Sequence, residues 1–151
     1  MREVSNSEDI LDVRDIDERI EELEDERADL VDAIAEDQAS VDDAEDSEEV
    51  EDIQDAVKEH EADLDAWDDE YAEELRILRA LKAELDGCED PTLIRDSYFE
   101  DYAQELAEDL GLIPKDNPWP CYCIDWERAA SELQTDYSSV EFDGVTYWVR
   151  Q

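Results

Sequence analysis

Basic residues are scarce in this chain, and between Ala28 and Leu75 only Lys58 stands against 22 Asp and Glu. Across all 151 residues, 12 Lys and Arg face 51 acids, a formal net charge of −39. That excess disfavours binding to nucleic acid or to an anionic membrane, which carry the same sign, and points to basic partners. Glycine is almost missing too. Gly87, Gly111 and Gly144 are the only three, so no glycine-rich loop can cradle a phosphate. His60 is the single histidine and sits in an apolar stripe far along the chain from any cysteine, which leaves Ser-His-Asp or Cys-His chemistry without its base. An enzyme is therefore not expected. No apolar run reaches 18 residues, and Met1 to Ser5 turns acidic at once, so neither a membrane span nor a signal peptide is expected. Cys88, Cys121 and Cys123 are an odd number at spacings unlike a disulfide framework, which fits free thiols in a reducing, cytoplasmic setting. Three thiolates without Cys-x2-Cys pairing do not make a structural zinc site, and no loop has the ligand order of a calcium hand. Neither a metal nor a cofactor is expected.

What the chain has is acid laid on a helical pattern. With 41% apolar residues, four Trp and six Tyr, it has enough apolar surface to fold as one domain or a small domain with an extension. From about Glu8 to Asp86 apolar residues recur at steps of three and four. Ile16, Ile20, Leu23, Leu30, Ile34 and Val41 form one stripe, broken by Arg27 and Asp37; Val50, Ile53, Val57, His60, Leu64, Trp67, Tyr71, Leu75 and Leu78 form a second. Between them, residues 44–49 hold no apolar anchor, and Asp46 with Glu49 resembles a capping box. These signals predict a mainly α chain: a long antiparallel helical hairpin over residues 1–86, coiled-coil-like, with one uninterrupted helix pairing between chains as the competing reading. Gly87 is expected to cap the second arm, with Pro91 shortly after.

Residues 87–151 change character and predict a small α+β module. Ser97 with Glu100 suggests a capping box for a helix over about Tyr98 to Leu110, burying Phe99, Tyr102, Ala103, Leu106 and Leu110. Asp125 is a good N-cap for a short helix from Trp126, with Ala129, Ala130 and Leu133 inward. Val140 and Phe142, Asp143-Gly144, then Val145, Tyr147 and Val149 predict a terminal β-hairpin. Trp148, on the opposite face from Tyr147, is expected either to cover the helices or to remain exposed as an interface anchor.

Folded at its middle, the segment Ala28 to Leu75 makes arms of roughly 36 Å at about 1.5 Å rise per residue, one charge per about 1.6 Å of axis. Double-stranded DNA carries one per roughly 1.7 Å. A solvated helical face or salt adaptation explains many acidic runs, but residues 1–86 carry net −28 and residues 87–151 net −11, and the bases cluster at Arg14, Arg19, Arg27, Arg76, Arg79 and Lys82. Concentration of this kind suggests a binding surface. The phosphate-mimicking candidates are the off-seam acids Asp42, Asp43, Glu45, Asp46, Glu48, Glu49, Asp52 and Asp55, and further along Glu61, Asp63, Asp65, Asp68 and Asp69. A coiled-coil scaffold and an acidic chaperone of basic, nucleic-acid-binding proteins are the competing expectations.

The stretch Tyr98-Phe99-Glu100-Asp101-Tyr102-Ala103-Gln104-Glu105-Leu106-Ala107-Glu108-Asp109-Leu110-Gly111, the segment Ile124-Asp125-Trp126-Glu127-Arg128-Ala129-Ala130-Ser131-Glu132-Leu133 and the Val140 to Val149 hairpin resemble the last domain of the ArdA antirestriction proteins. The resemblance covers a little over a third of the chain. It implies an acidic DNA mimic of a phage or mobile element, working in the cytoplasm of a prokaryotic host as an elongated homodimer. Its implied partner is the basic DNA-binding cleft of a type I restriction-modification enzyme. Ahead of the resembling module, this chain has its helical hairpin where those proteins have further domains, so a CRISPR effector or another nuclease is an equally fitting target.

Overall fold

The computed structural model describes residues 4–87 and 92–150; Cys88 and Pro91 lie outside the described residues. It is mainly helical, at 68%, with a small four-stranded antiparallel sheet. Two compact units divide it: one holds residues 1–17 and 80–151, the other residues 18–79.

The residues 18–79 belong to a run of helices. Helix α1 spans Val13–Asp43 and α2 spans Ser47–Trp67; a single π turn over Asp68–Ala72 leads into α3, Glu73–Glu84. Without Gly or Pro the chain turns at residues 44–46. The Ala44 amide donates to the Val41 carbonyl, and Asp46, in an extended conformation, accepts from the Glu49 amide at 2.8 Å. The Glu49 carboxylate returns to the Glu45 amide at 3.3 Å rather than to that of Asp46, so the expected capping box closes one residue early. Cross-arm pairs run in opposite order along the two arms: Arg19 with Glu74, Trp67 with Glu26, Arg27 with Asp68, and Asp37 with His60. The arms are antiparallel. Arg27 and Asp37, which break the first stripe, thus each face a polar partner on the second arm. Polar pairs across the arms favour this register, because a one-turn slip would separate the partners.

Burial along the seam is graded. Arg19, Leu23, Trp67, Leu75 and Leu78 are buried, whereas Leu30, Ile34, Val41, Val50, Ile53, Val57 and Leu64 are half-buried. Two helices cover each other along one line only, so their seam residues keep an open flank.

The second unit is built on the sheet order β1-β2-β4-β3, with β1 Ile10–Asp12, β2 Thr92–Arg95, β3 Tyr137–Phe142 and β4 Val145–Arg150. Its hairpin pairs Phe142 with Val145 around Asp143 and Gly144, both at positive φ (47° and 82°), the two-residue turn that Asp-Gly favours. The N-terminal residues 8–12, expected to be helical, instead serve the sheet. Leu11 pairs with Leu93, the Arg95 amide donates to the Asp9 carbonyl, and the Tyr147 hydroxyl donates to the Glu8 carbonyl at 2.6 Å. Three strand residues are too few to show a period-two signal.

Helix α4, Phe99–Asp109, and α5, Trp126–Leu133, pack with the Ile94 and Trp148 side of the sheet. Phe99 is the hub: Tyr102, Tyr137 and Trp148 place their rings 5.2–6.1 Å from it at steep angles. Trp148 is half-buried and donates to Asp96 at 2.9 Å, so it covers the helices. Asp125 caps α5 by accepting from the Arg128 amide, as the sequence predicts. Two expectations for α4 are corrected. A 3-10 turn over Asp96–Tyr98 leads into it with no side-chain cap, so Ser97 and Glu100 form no capping box, and Leu110 is exposed rather than buried. Leu110 sits at the C-cap, where the helix gives way to the Gly111 turn.

Candidate functional site: the acidic end of the helical hairpin

The candidate site lies within the unit of residues 18–79. Its lower edge is the Arg27–Asp68 pair, with Nε 3.0 Å from Oδ1. Toward the base the cations are matched: Arg19 bonds Glu74 and Glu22, each at 2.8 Å; Arg79 bonds Glu24; and Arg76 bonds Glu73. Arg76 holds the Glu73 carboxyl below its ordinary range, and the Glu74 and Glu22 carboxylates together hold Arg19 firmly in its charged form. A cavity of 470 Å³ lined by Arg27, Trp67, Asp68, Ala72, Leu75, Arg76 and Arg79 sits at this edge, but each arginine already has its carboxylate.

Beyond that edge the balance changes. Between Ala28 and Trp67 there are 17 acids and one base, Lys58. Among the described residues, none of these 17 carboxylates makes an ion pair with a Lys or Arg; Asp37 alone faces His60, at 2.7 Å. The turn at residues 44–46 lies closer to Ala28 than to Leu75, so the arms are unequal. The dense zone is therefore the tip, where 16 residues of α1 lie beside 21 of α2. At about 1.5 Å per residue that is roughly 24–31 Å of axis, or one charge per roughly 1.4–1.8 Å, bracketing the spacing of about 1.7 Å in duplex DNA.

The thirteen candidate acids divide by what their carboxylates already hold. Asp42, Asp43, Glu45, Glu48, Asp52, Asp55, Glu61, Asp63, Asp65 and Asp69 are exposed. Asp46 and Glu49 are exposed too, yet each accepts one backbone amide at the turn. Asp68 differs: it is half-buried and its charge is met by Arg27. On α1 the exposed Asp29, Asp32 and Glu36 belong to the same zone, as do Glu51 and Glu59 on α2. Steps of three and four from Asp29 through Asp32 to Glu36 mark one outward face, the signal from which these positions are legible.

Carboxylates fixed on helices differ chemically from those on a flexible tail. Their backbone is already ordered, so binding to a rigid array of Arg and Lys carries no added cost of backbone ordering. Repulsion among them is relieved when a cationic partner arrives, which adds to the attraction and makes it sensitive to salt. Among the described residues no group of His, Cys, Asp and Glu is disposed to hold a metal ion; Cys121 and Cys123 are free thiols, and no helix is long and apolar enough to cross a membrane. No protein-family model, curated protein or solved structure matches the chain.

Proposed function

We propose that this protein is an acidic DNA mimic that occupies the basic DNA-binding cleft of a host defence nuclease, a type I restriction-modification enzyme or a CRISPR effector, and excludes DNA by competition. The observation that carries this reading is the tip zone: 17 carboxylates with no Lys or Arg partner among the described residues, on ordered helices, at the axial charge spacing of duplex DNA. The likeness of residues 98–111, 124–133 and 140–149 to the last domain of the ArdA proteins supports the same class of target. Arginines and lysines that grip phosphates gain equally from carboxylates set at similar spacing, and complementary fields speed the encounter.

Changing Asp42, Asp43, Glu48, Glu49 and Asp52 together to Asn and Gln removes five charges and keeps every side-chain oxygen that serves the turn. Inhibition of the target nuclease is expected to disappear while the helical circular dichroism stays. Inhibition that survives this change would mean that the hairpin tip is not the mimic surface.

A scaffold reading has one observation in its favour, the half-buried seam with an open apolar flank beside it, where Val31 is 39% exposed. Binding through that seam would be abolished by Val31→Asp and would resist salt, whereas mimicry responds in the opposite way to both.

A further inference from the structure

The other extreme of this chain lies in residues 110–124, between α4 and α5. Five of the seven large apolar side chains left exposed among the described residues are here: Leu112 (73%), Trp119 (72%), Leu110 (64%), Tyr122 (60%) and, less so, Ile124. The same fifteen residues carry one base and one acid, Lys115 and Asp116, and no other fifteen-residue stretch of the chain carries so few charges. The loop is nonetheless ordered by its own turns. The Asn117 amide donates to the Pro114 carbonyl at 3.1 Å, that of Cys121 to Pro118 at 2.7 Å and that of Cys123 to Pro120 at 2.8 Å. Proline at positions 114, 118 and 120 fixes φ there as well. Apolar side chains held out on a constrained backbone lose little backbone freedom on binding, and their concentration in one segment marks an interaction surface.

We infer that this loop is a second contact surface for the basic partner that the hairpin attracts, with Trp119 and Tyr122 stacking on its Arg and Lys side chains while Leu110 and Leu112 cover their aliphatic stems. The inference rests on the mimicry reading. Charge selects the occupant: a chain of −39 repels acidic proteins, nucleic acid and anionic membranes, and among charged partners draws in a cationic surface alone. Once the acidic hairpin is engaged, the loop meets the same partner at high effective concentration, so a modest contact suffices. A guanidinium or ammonium group is attracted to the face of an aromatic ring, Trp above all, without the desolvation that a buried carboxylate demands. The stems of Arg and Lys pack on apolar side chains at the same time. In proteins that bind nucleic acid, Arg guanidinium planes stack on exposed bases. Trp119 and Tyr122 would answer to those bases as the tip carboxylates answer to phosphates. The two surfaces differ in salt response, because ion pairing falls with ionic strength while burial of rings and aliphatic stems hardly does.

Calorimetric binding of the full chain to a type I restriction enzyme and to a CRISPR effector, in about 0.05 M and about 0.5 M salt, tests it. Trp119→Ser and Leu112→Ser, both at highly exposed positions, are each expected to raise the dissociation constant about tenfold at both salt concentrations, with the salt dependence kept as in wild type. Trp119→Phe, which keeps a ring, is expected to lose less. Neutralising Asp42, Asp43, Glu48, Glu49 and Asp52 is expected to weaken binding mainly at low salt and so to flatten the salt dependence. A misfolded loop variant would lose the tip contact too and change that dependence, so an unchanged slope separates the two causes. Loop variants that bind as tightly as wild type would overturn this inference and leave mimicry standing; loss of binding to phosphatidylcholine vesicles in those same variants would then assign the loop to an uncharged membrane surface. Binding kept at full strength by the tip variant but weakened in the loop variants would overturn the role of the tip alone. A wild-type chain that binds neither enzyme would overturn mimicry and this inference with it.

Discussion

Arg19 is the one charged side chain buried among the described residues, at 6% exposure, and it holds Glu74 and Glu22 while lying 5.9 Å from the centre of the Tyr71 ring. Removing it leaves two carboxylates facing each other at the base of the hairpin. Both are about one-third exposed, which softens the cost of an unpaired charge, so Arg19→Ala is expected to destabilise by about 2 kcal/mol, measured by urea unfolding. Tyr147 gives a prediction in pH. Burial raises its phenol above the ordinary value near 10, with Glu8 and Asp9 adding to the shift and Arg95 opposing it. A group whose folded pKa is raised stabilises the fold fully below its unfolded value and loses that contribution as pH climbs through the folded one. Unfolding free energy should therefore fall as pH rises above about 10, and Tyr147→Phe should flatten that limb while losing about 1 kcal/mol at neutral pH with the bond to Glu8. An alkaline limb unchanged by the substitution would contradict the assignment. At this scale the sequence is partly legible: Arg27 and Asp37 are visible as breaks in the first stripe and His60 as a polar member of the second, but their pairing depends on register, which the turn sets. Trp148 left two readings open, and its bond to Asp96 decides between them.

Among the elements, the π turn over Asp68–Ala72 has a cause written in the seam. Steps along the second arm alternate three and four from Val50 to Tyr71, but Trp67, Tyr71 and Leu75 follow at four and four, eight residues where two turns of α-helix hold about 7.2. A π turn, with its wider turn, accommodates that spacing, and Leu75 and Leu78 beyond it are buried. Helices α1, α2 and α5, the turn at residues 44–46 and the Asp-Gly hairpin are legible because periodicity and caps signal them locally. Strand β1 is not: it exists only through pairing with β2, some 80 residues away in sequence. The exposed loop 110–124 is legible as a loop from its prolines, but no local signal in the sequence marks its Leu and Trp as exposed.

Across the whole molecule, charge is sorted. Arginines are matched one by one toward the base of the hairpin, the tip is left without Lys or Arg partners among the described residues, and the apolar surface left open is concentrated in a loop nearly free of charge. Composition alone gives the sign of the partner; the position of the turn, which unequal arms hide from a symmetric folding of the segment, concentrates the acids at one end. Such sorting costs stability through self-repulsion, and the mimicry we propose would give that cost a purpose. The direct measurement is displacement of labelled DNA from a type I restriction enzyme and from a CRISPR effector, each titrated with this protein at low and high salt. Displacement from at least one of them, weakening as salt rises, is the predicted result; no displacement from either would contradict the mimicry on which this account rests.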